Sequence, residues 1–180
     1  MTSDRKFLRK MQTRIASVAV GPSTARGMGP KGTIATARKQ LARVQLKSFE
    51  GLSQDRFRKH LDACTHRLVK ALPNGARHWG SARKFLNIFL RDALYNCYLT
   101  KAYNLRSIES FLEIPLDKHV ALSLADEKEG HELPEWKTVI RLKPKVSDTY
   151  QAVALNVAKR KRTKRIHLDL DYWRNAAFQL

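Results

Sequence analysis

The chain has no apolar run of the roughly 18 residues that a membrane-spanning helix requires, and its start shows no signal-peptide pattern. It has two cysteines, Cys64 and Cys97, and no CxxC. No HExxH occurs, and His60 and His66 are poorly spaced for sharing a helix face. These absences argue against a membrane span, a disulfide framework and the common zinc spacings. The expectation is a cytoplasmic monomer without metal or cofactor, with both thiols reduced and buried on helices. Acid is scarce as well. Asp and Glu number 16 against 35 Lys and Arg, for a formal charge of +19. That surplus points to a polyanionic partner, most simply nucleic acid, and DNA is the partner expected here. An anionic membrane is the rival, because the opening MTSDRKFLRKMQTRIASVAV is basic and amphipathic; no membrane association is expected.

Period-2 apolar alternation is too short anywhere for a sheet. What is present is helical periodicity. Phe7, Met11, Ile15 and Val18 form one face over Ser3 to Val20. GPSTARGMGPKGT then breaks the pattern with four glycines and two prolines. Ile34 to Phe49 reads as helix. Ser53 reads as the cap of a helix carrying Phe57, Leu61, Cys64 and Leu68, and LPNGAR as a turn. Trp79 to Tyr98 is the most apolar helix and is expected at the centre, with Arg83, Lys84, Asn87 and Arg91 on its polar face. A short helix over Ser107 to Leu112, another from about Asp117 after Pro115, and a third over Trp136 to Leu142 follow. Ser147 is expected to cap a helix aligned on Tyr150, Val153, Ala154 and Val157, which the basic run KRKRTKR ends. IHLDLDYW reads as a short extended lead into a last helix. With no repeats, the prediction is one compact all-α domain over residues 1–180, with a basic N-terminal arm.

GMGPKG matches G-x-G-x-x-G, but helix precedes and follows it, so a dinucleotide fold does not fit. It reads as a flexible loop, or as backbone amides that approach a phosphate or a base. KRKRTKR carries more charge than a helix end needs, which favours phosphate contact. Lys84 sits on the polar face of an otherwise buried helix, where a lysine ordinarily snorkels. Asp117 follows Pro115 at a helix start, the position of an N-cap.

WGSARKFLNIF followed by EIPLDKHVALSL resembles the helix-hairpin-helix DNA glycosylase superfamily. Those enzymes carry a hairpin of the form G-x-G-x-K, a buried helix and a P-x-D-x-[HRK]-V segment. The likeness runs from about Leu72 to Leu124, and PLDKHV is the closer match. GSARK has one glycine where the hairpin usually has two. Lys84 and Asp117 lie further apart in sequence than in the common branch, closer to the archaeal 8-oxoguanine glycosylase branch. The resemblance implies a metal-free DNA glycosylase with AP lyase activity. In that role Lys84 attacks the sugar and Asp117 stabilises the charge that develops there. A flipped base then needs an aromatic wall, for which Trp79 and Trp173 are candidates with core packing as their competing role. Its polar edge would be read by Asp169, Asp171, Ser23 or Arg26. Arg83, Arg91, Lys159, Arg160, Lys161, Arg162, Lys164 and Arg165 are the expected DNA contacts. The biological role implied is repair of an oxidised base or attack on modified bases in foreign DNA. The competing reading is a non-catalytic basic helical protein that binds DNA or RNA. One observation separates the two: whether the Lys84 amine and the Asp117 carboxylate open to the same pocket.

Overall fold

The computed structural model describes the backbone of residues 3–177 and the side chains of residues 4–173. Among these residues the chain is all-α, with no strand. The helices are α1 (Ser3–Ala19), α2 (Thr33–Leu41), α3 (Gln54–Ala71), α4 (Trp79–Tyr95), α5 (Cys97–Tyr103), α6 (Lys118–Ala125), α7 (Pro144–Arg160) and α8 (Leu168–Ala177). No described helix is long and apolar enough to cross a membrane.

Apolar spacing explains the packing. In α3, Phe57, Leu61, Cys64 and Leu68 recur every three to four residues and are all buried. Phe85, Leu86, Phe89, Leu90, Ala93 and Leu94 cover most of α4, which packs against α1, α2 and α3. These helices enclose the larger apolar core. A second core forms among α6, α7 and α8, around Val120, Leu124, Tyr150, Ala154 and Leu168. Trp136 touches both cores.

Several sequence expectations need correction. The N-terminal segment is not a free arm: α1 packs on α2, α4 and α5. Its buried face is also rotated from the expected one. Gln12, Ile15, Ala16 and Ala19 are buried, whereas Phe7 and Val18 are exposed. Small residues at 16 and 19 permit close helix approach. The buried Gln12 amide donates to the Ala42 (3.2 Å) and Val44 (2.7 Å) carbonyls. Those bonds satisfy the end of α2, so the helix stops at Leu41 and only a 3-10 turn, Leu46–Phe49, follows. Helix α4 stops at Tyr95, because the Asn96 side chain accepts from the Leu99 N–H (3.0 Å) and starts α5. Cys97 is consequently exposed, and only Cys64 is a buried thiol.

Ser53 occupies the N-cap of α3 but makes no capping hydrogen bond. Helix α7 starts at Pro144, whose fixed φ and missing N–H suit a first turn; Ser147 lies inside that helix and is buried. Leu105–Ile108, Val139–Arg141 and Arg165–His167 are 3-10 turns, shorter than or displaced from the helices and the extended lead expected there. The glycine loop is mostly exposed and makes one close approach to the body of the protein. Gly29, at φ 156°, sits so close to Ala76 that a Cβ would lie 2.4 Å from the alanine Cβ. Gly80 belongs to the first turn of α4 rather than to a hairpin. It lets the Val139 carbonyl approach to 2.1 Å from where a Cβ would stand. The turn between α3 and α4 is instead Leu72–His78, with Gly75 at φ 82°.

Candidate functional site

The segment before α6 is held from two sides. The Arg83 guanidinium is buried and donates to both Glu113 oxygens (2.9 and 3.2 Å), to Thr65 Oγ1 (2.7 Å) and to Asp62 Oδ1 (2.7 Å). It also lies 5.1 Å from the Trp79 ring centroid. Asn87 adds a donor to Glu113 (3.1 Å). From the other side, Arg165 donates to the carbonyls of Phe111 (2.8 Å), Leu112 (3.1 Å) and Gln151 (3.3 Å). The buried Gln151 amide brackets Ile114, accepting from its N–H (3.1 Å) and donating to its C=O (2.8 Å). With Ile114 and Leu116 buried and Pro115 fixing φ, little freedom is left at residue 117.

Asp117 serves two groups at once. One carboxylate oxygen accepts from the Val120 N–H at 3.0 Å and caps α6. The other lies 3.2 Å from the Lys84 Nζ. The lysine side chain is 9% exposed and the aspartate 18%. Lys84 therefore does not snorkel outward; it turns to its carboxylate partner. Both line one pocket of about 220 Å³, below the ~300–1,000 Å³ of a drug-sized site. The pocket lies at the seam between the two apolar cores, where clefts commonly form. Ile88, Arg91 and Asp92 complete the α4 wall, Asp169 and Trp173 come from α8, and Val18, Ala19, Ser23 and Thr24 form the remaining side.

Arg91 links two of the pocket acids. It donates to Asp92 Oδ1 (2.9 Å) and pairs with the buried Asp169 carboxylate. Burial raises the Asp92 pKa above its ordinary value, and the Arg91 charge opposes that rise. Trp173 is 54% exposed at the pocket edge, beside His119 at 5.5 Å between ring centroids. His119 donates its Nε2–H to the Tyr172 carbonyl (2.9 Å), since a carbonyl only accepts.

The sequence candidates thus divide. Lys84, Asp117, Arg91, Asp169, Trp173 and Ser23 share the pocket. Trp79, Asp171 and Arg26 do not line it. Trp79 packs against the second core and Arg83, while Asp171 and Arg26 are exposed elsewhere. The polar residues of α4 form two faces, not one. Arg83 and Asn87 meet Glu113, while Lys84 and Arg91 meet the pocket. Arg83 and Arg165 are corrected as DNA contacts, because their guanidinium groups are consumed by internal acceptors. Arg160 pairs with Glu127 (2.5 Å) and Glu129 (2.8 Å), and Lys161 with Glu127 (2.5 Å). Lys159, Arg162 and Lys164 stay exposed, with no ion pair among the described residues. Sequence reading missed Glu113, Gln151 and Asp92, which look like ordinary solvent-facing residues until the chain is folded.

A larger cavity, about 380 Å³, lies apart between α2 and α3 and includes His60, Cys64 and Arg67. Burial raises the Cys64 thiol pKa, and the neighbouring Arg67 only partly offsets this, so the group is a poor nucleophile. No group of three or more metal-binding side chains occurs among the described residues. Comparison of the chain with protein-family models, with curated proteins and with solved structures finds no match.

Proposed function

We propose that the protein is a DNA glycosylase with associated lyase activity, in which Lys84 and Asp117 are the reacting groups. The observation that supports this most is their convergence, 3.2 Å apart, on a single open pocket. A protein that only binds polyanions gains nothing from an acid that neutralises a lysine inside a cleft. It gains more from lysines on the surface.

The chemistry follows from the pair. At rest it is an ammonium beside a carboxylate. Release of one ammonium proton, through Asp117 to the departing base, frees the amine lone pair. The amine nitrogen bonds to C1′ as the glycosidic C–N bond breaks, and that electron pair leaves with the base, which takes up the proton. Positive charge building on the sugar is met by the Asp117 carboxylate, held in place by its capping bond. Another N–H proton then passes to the sugar ring oxygen, the C1′–O4′ bond opens and an iminium forms. The C2′ proton passes to the Asp117 carboxylate, its electron pair forms the C2′=C3′ bond, and the 3′ phosphate leaves with its C–O pair, which cuts the strand. Before any of this the base must leave the duplex. Trp173 offers it a flat face, and the Arg91–Asp169 pair offers polar atoms for its edge.

The test is borohydride trapping on DNA carrying oxidised, alkylated or deaminated bases. Wild type is expected to form a covalent adduct, and Lys84→Ala to bind the same DNA without one. An adduct with Lys84→Ala would rule out Lys84 as nucleophile. Failure of wild type to release any of the bases would refute the glycosylase reading.

A further inference from the structure

Resting on the DNA reading above, we propose that the exposed face of α1 is the phosphate track that leads the target strand into the Lys84–Asp117 pocket. Lys6, Arg9, Lys10 and Arg14 are all exposed on this helix. Together with Thr13 and Ser17 they line one shallow cleft. Asp4 is the only acid in α1, and none of the four cations is in an ion pair among the described residues. This contrasts with KRKRTKR, where Arg160 and Lys161 are neutralised by Glu127 and Glu129 and Arg165 is turned inward. Helix α1 therefore keeps four unpaired cations in one cleft, against three in KRKRTKR.

Position gives the face its direction. From Lys6 to Ser17 the helix rises about 16 Å at 1.5 Å per residue, the axial length of about five nucleotides at ~3.4 Å each. The next residues, Val18 and Ala19, line the pocket itself. A strand laid along the cations thus reaches the end of α1 that borders the pocket, and passes round the helix at Val18 to enter it. Phosphate is the fitting occupant because the apolar side of α1 is already used. Ile15, Ala16 and Ala19 are buried in the core; the apolar residues left exposed, Phe7 and Val18, are about three turns apart, and Phe7 packs against the Tyr98 ring.

The test uses the full chain carrying Lys6→Gln, Arg9→Gln, Lys10→Gln and Arg14→Gln together. Glutamine keeps helix propensity at exposed positions, and a thermal melt checks folding. DNA affinity is measured against salt on duplex containing an abasic analogue. The slope of log K against log salt is expected to flatten by ~0.9 per lost contact, about 3 to 4 for the set. Lys159→Gln with Arg162→Gln and Lys164→Gln is expected to flatten it less. Neutral methylphosphonate linkages are then placed within about five nucleotides to one side of the target, on the same strand. They are expected to weaken wild type and to leave the quadruple variant nearly unaffected. An unchanged salt slope, or equal sensitivity of both proteins to the neutral linkages, overturns the track. So does loss of binding to phosphatidylcholine–phosphatidylserine vesicles without a change in the DNA slope, which would make α1 a membrane-surface helix. Borohydride trapping separates this inference from the one beneath it. If Lys84 traps while the slope is unchanged, only the track fails. If the slope flattens but nothing is ever trapped or excised, the track stands as a binding surface and the enzymatic reading fails.

Discussion

Asp117→Asn separates the two roles that one carboxylate fills. Asparagine keeps an oxygen for the Val120 N–H, now accepted at 3.0 Å, and it caps about as well as aspartate. The cap contribution should change little. What disappears is the negative charge 3.2 Å from the Lys84 Nζ. At an effective dielectric of about 20, two unit charges at that distance attract by roughly 5 kcal/mol before desolvation is counted. The fully buried limit for stranding a charge is ~3–5 kcal/mol. Because both groups retain some solvent contact, about 1–3 kcal/mol is the better expectation here. In a chain of this length that lowers Tm by roughly 2–4 °C per kcal/mol. Excision should fall much further, by about 10²–10³-fold, the scale for losing one preorganised electrostatic group. Asp117→Ala should lose the same activity and a further ~1 kcal/mol through the missing cap. Single-turnover excision read beside thermal melting distinguishes these outcomes. Wild-type excision by Asp117→Asn would refute the catalytic role and leave Asp117 as a cap alone. Identical melting of the two variants would refute the contribution of the cap.

Two further outcomes follow from the surroundings of that residue. Gln151→Leu leaves the N–H and C=O of Ile114 unpaired in the core; we expect a loss of about 2–6 kcal/mol in urea unfolding together with slower excision, and an unchanged unfolding midpoint would refute the clamp. Burial would raise the Glu127 pKa, but hydrogen bonds from Lys161, Arg160 and Tyr172 outweigh it and hold the group below its ordinary value of 4.5. Its contribution is therefore complete above the ordinary carboxylate range and is lost as pH falls through the lower, folded-state value. Wild type should lose stability through that acid window more steeply than Glu127→Gln, and parallel pH–stability curves would refute the pairing.

Helix existence was legible wherever an apolar stripe met a tertiary partner, as in α3, α4 and α7. Helix ends were less so, because distant side chains decide them. Nothing in ARVQLKSF announces that Gln12 will take two carbonyls and finish α2. The α1 register was misread for a related reason. Large side chains at 7 and 18 dominate any apolar count, yet the small residues at 16 and 19 are what allow α1 to approach its neighbours. Asn96 was a readable break, since a side-chain cap there needs only local geometry. It was outweighed by the apolar residues on either side.

The meeting of Lys84 with Asp117 was legible through local signals, a lysine within an apolar helix and an acid after a proline. The structure that holds them was not, because it is built from charges that the sequence shows only as a surplus. A count of +19 treats every cation as available to a partner. Folding divides them by what lies within reach. Arg83 meets Glu113 and Asp62, and Arg165 meets three carbonyls, so two of the expected phosphate contacts instead fix the path of the chain into Asp117. Guanidinium suits that task, because its several donors can bind several acceptors at once. A lysine in place of Arg83 has a single nitrogen to offer Glu113, Thr65 and Asp62, and would leave some of them unpaired. The cations left for a polyanion are those without an acid partner, and the four on α1 meet that condition. The same basic composition thus supplies both the frame of the site and the surface around it, and the acids and carbonyls within reach determine which cation does which.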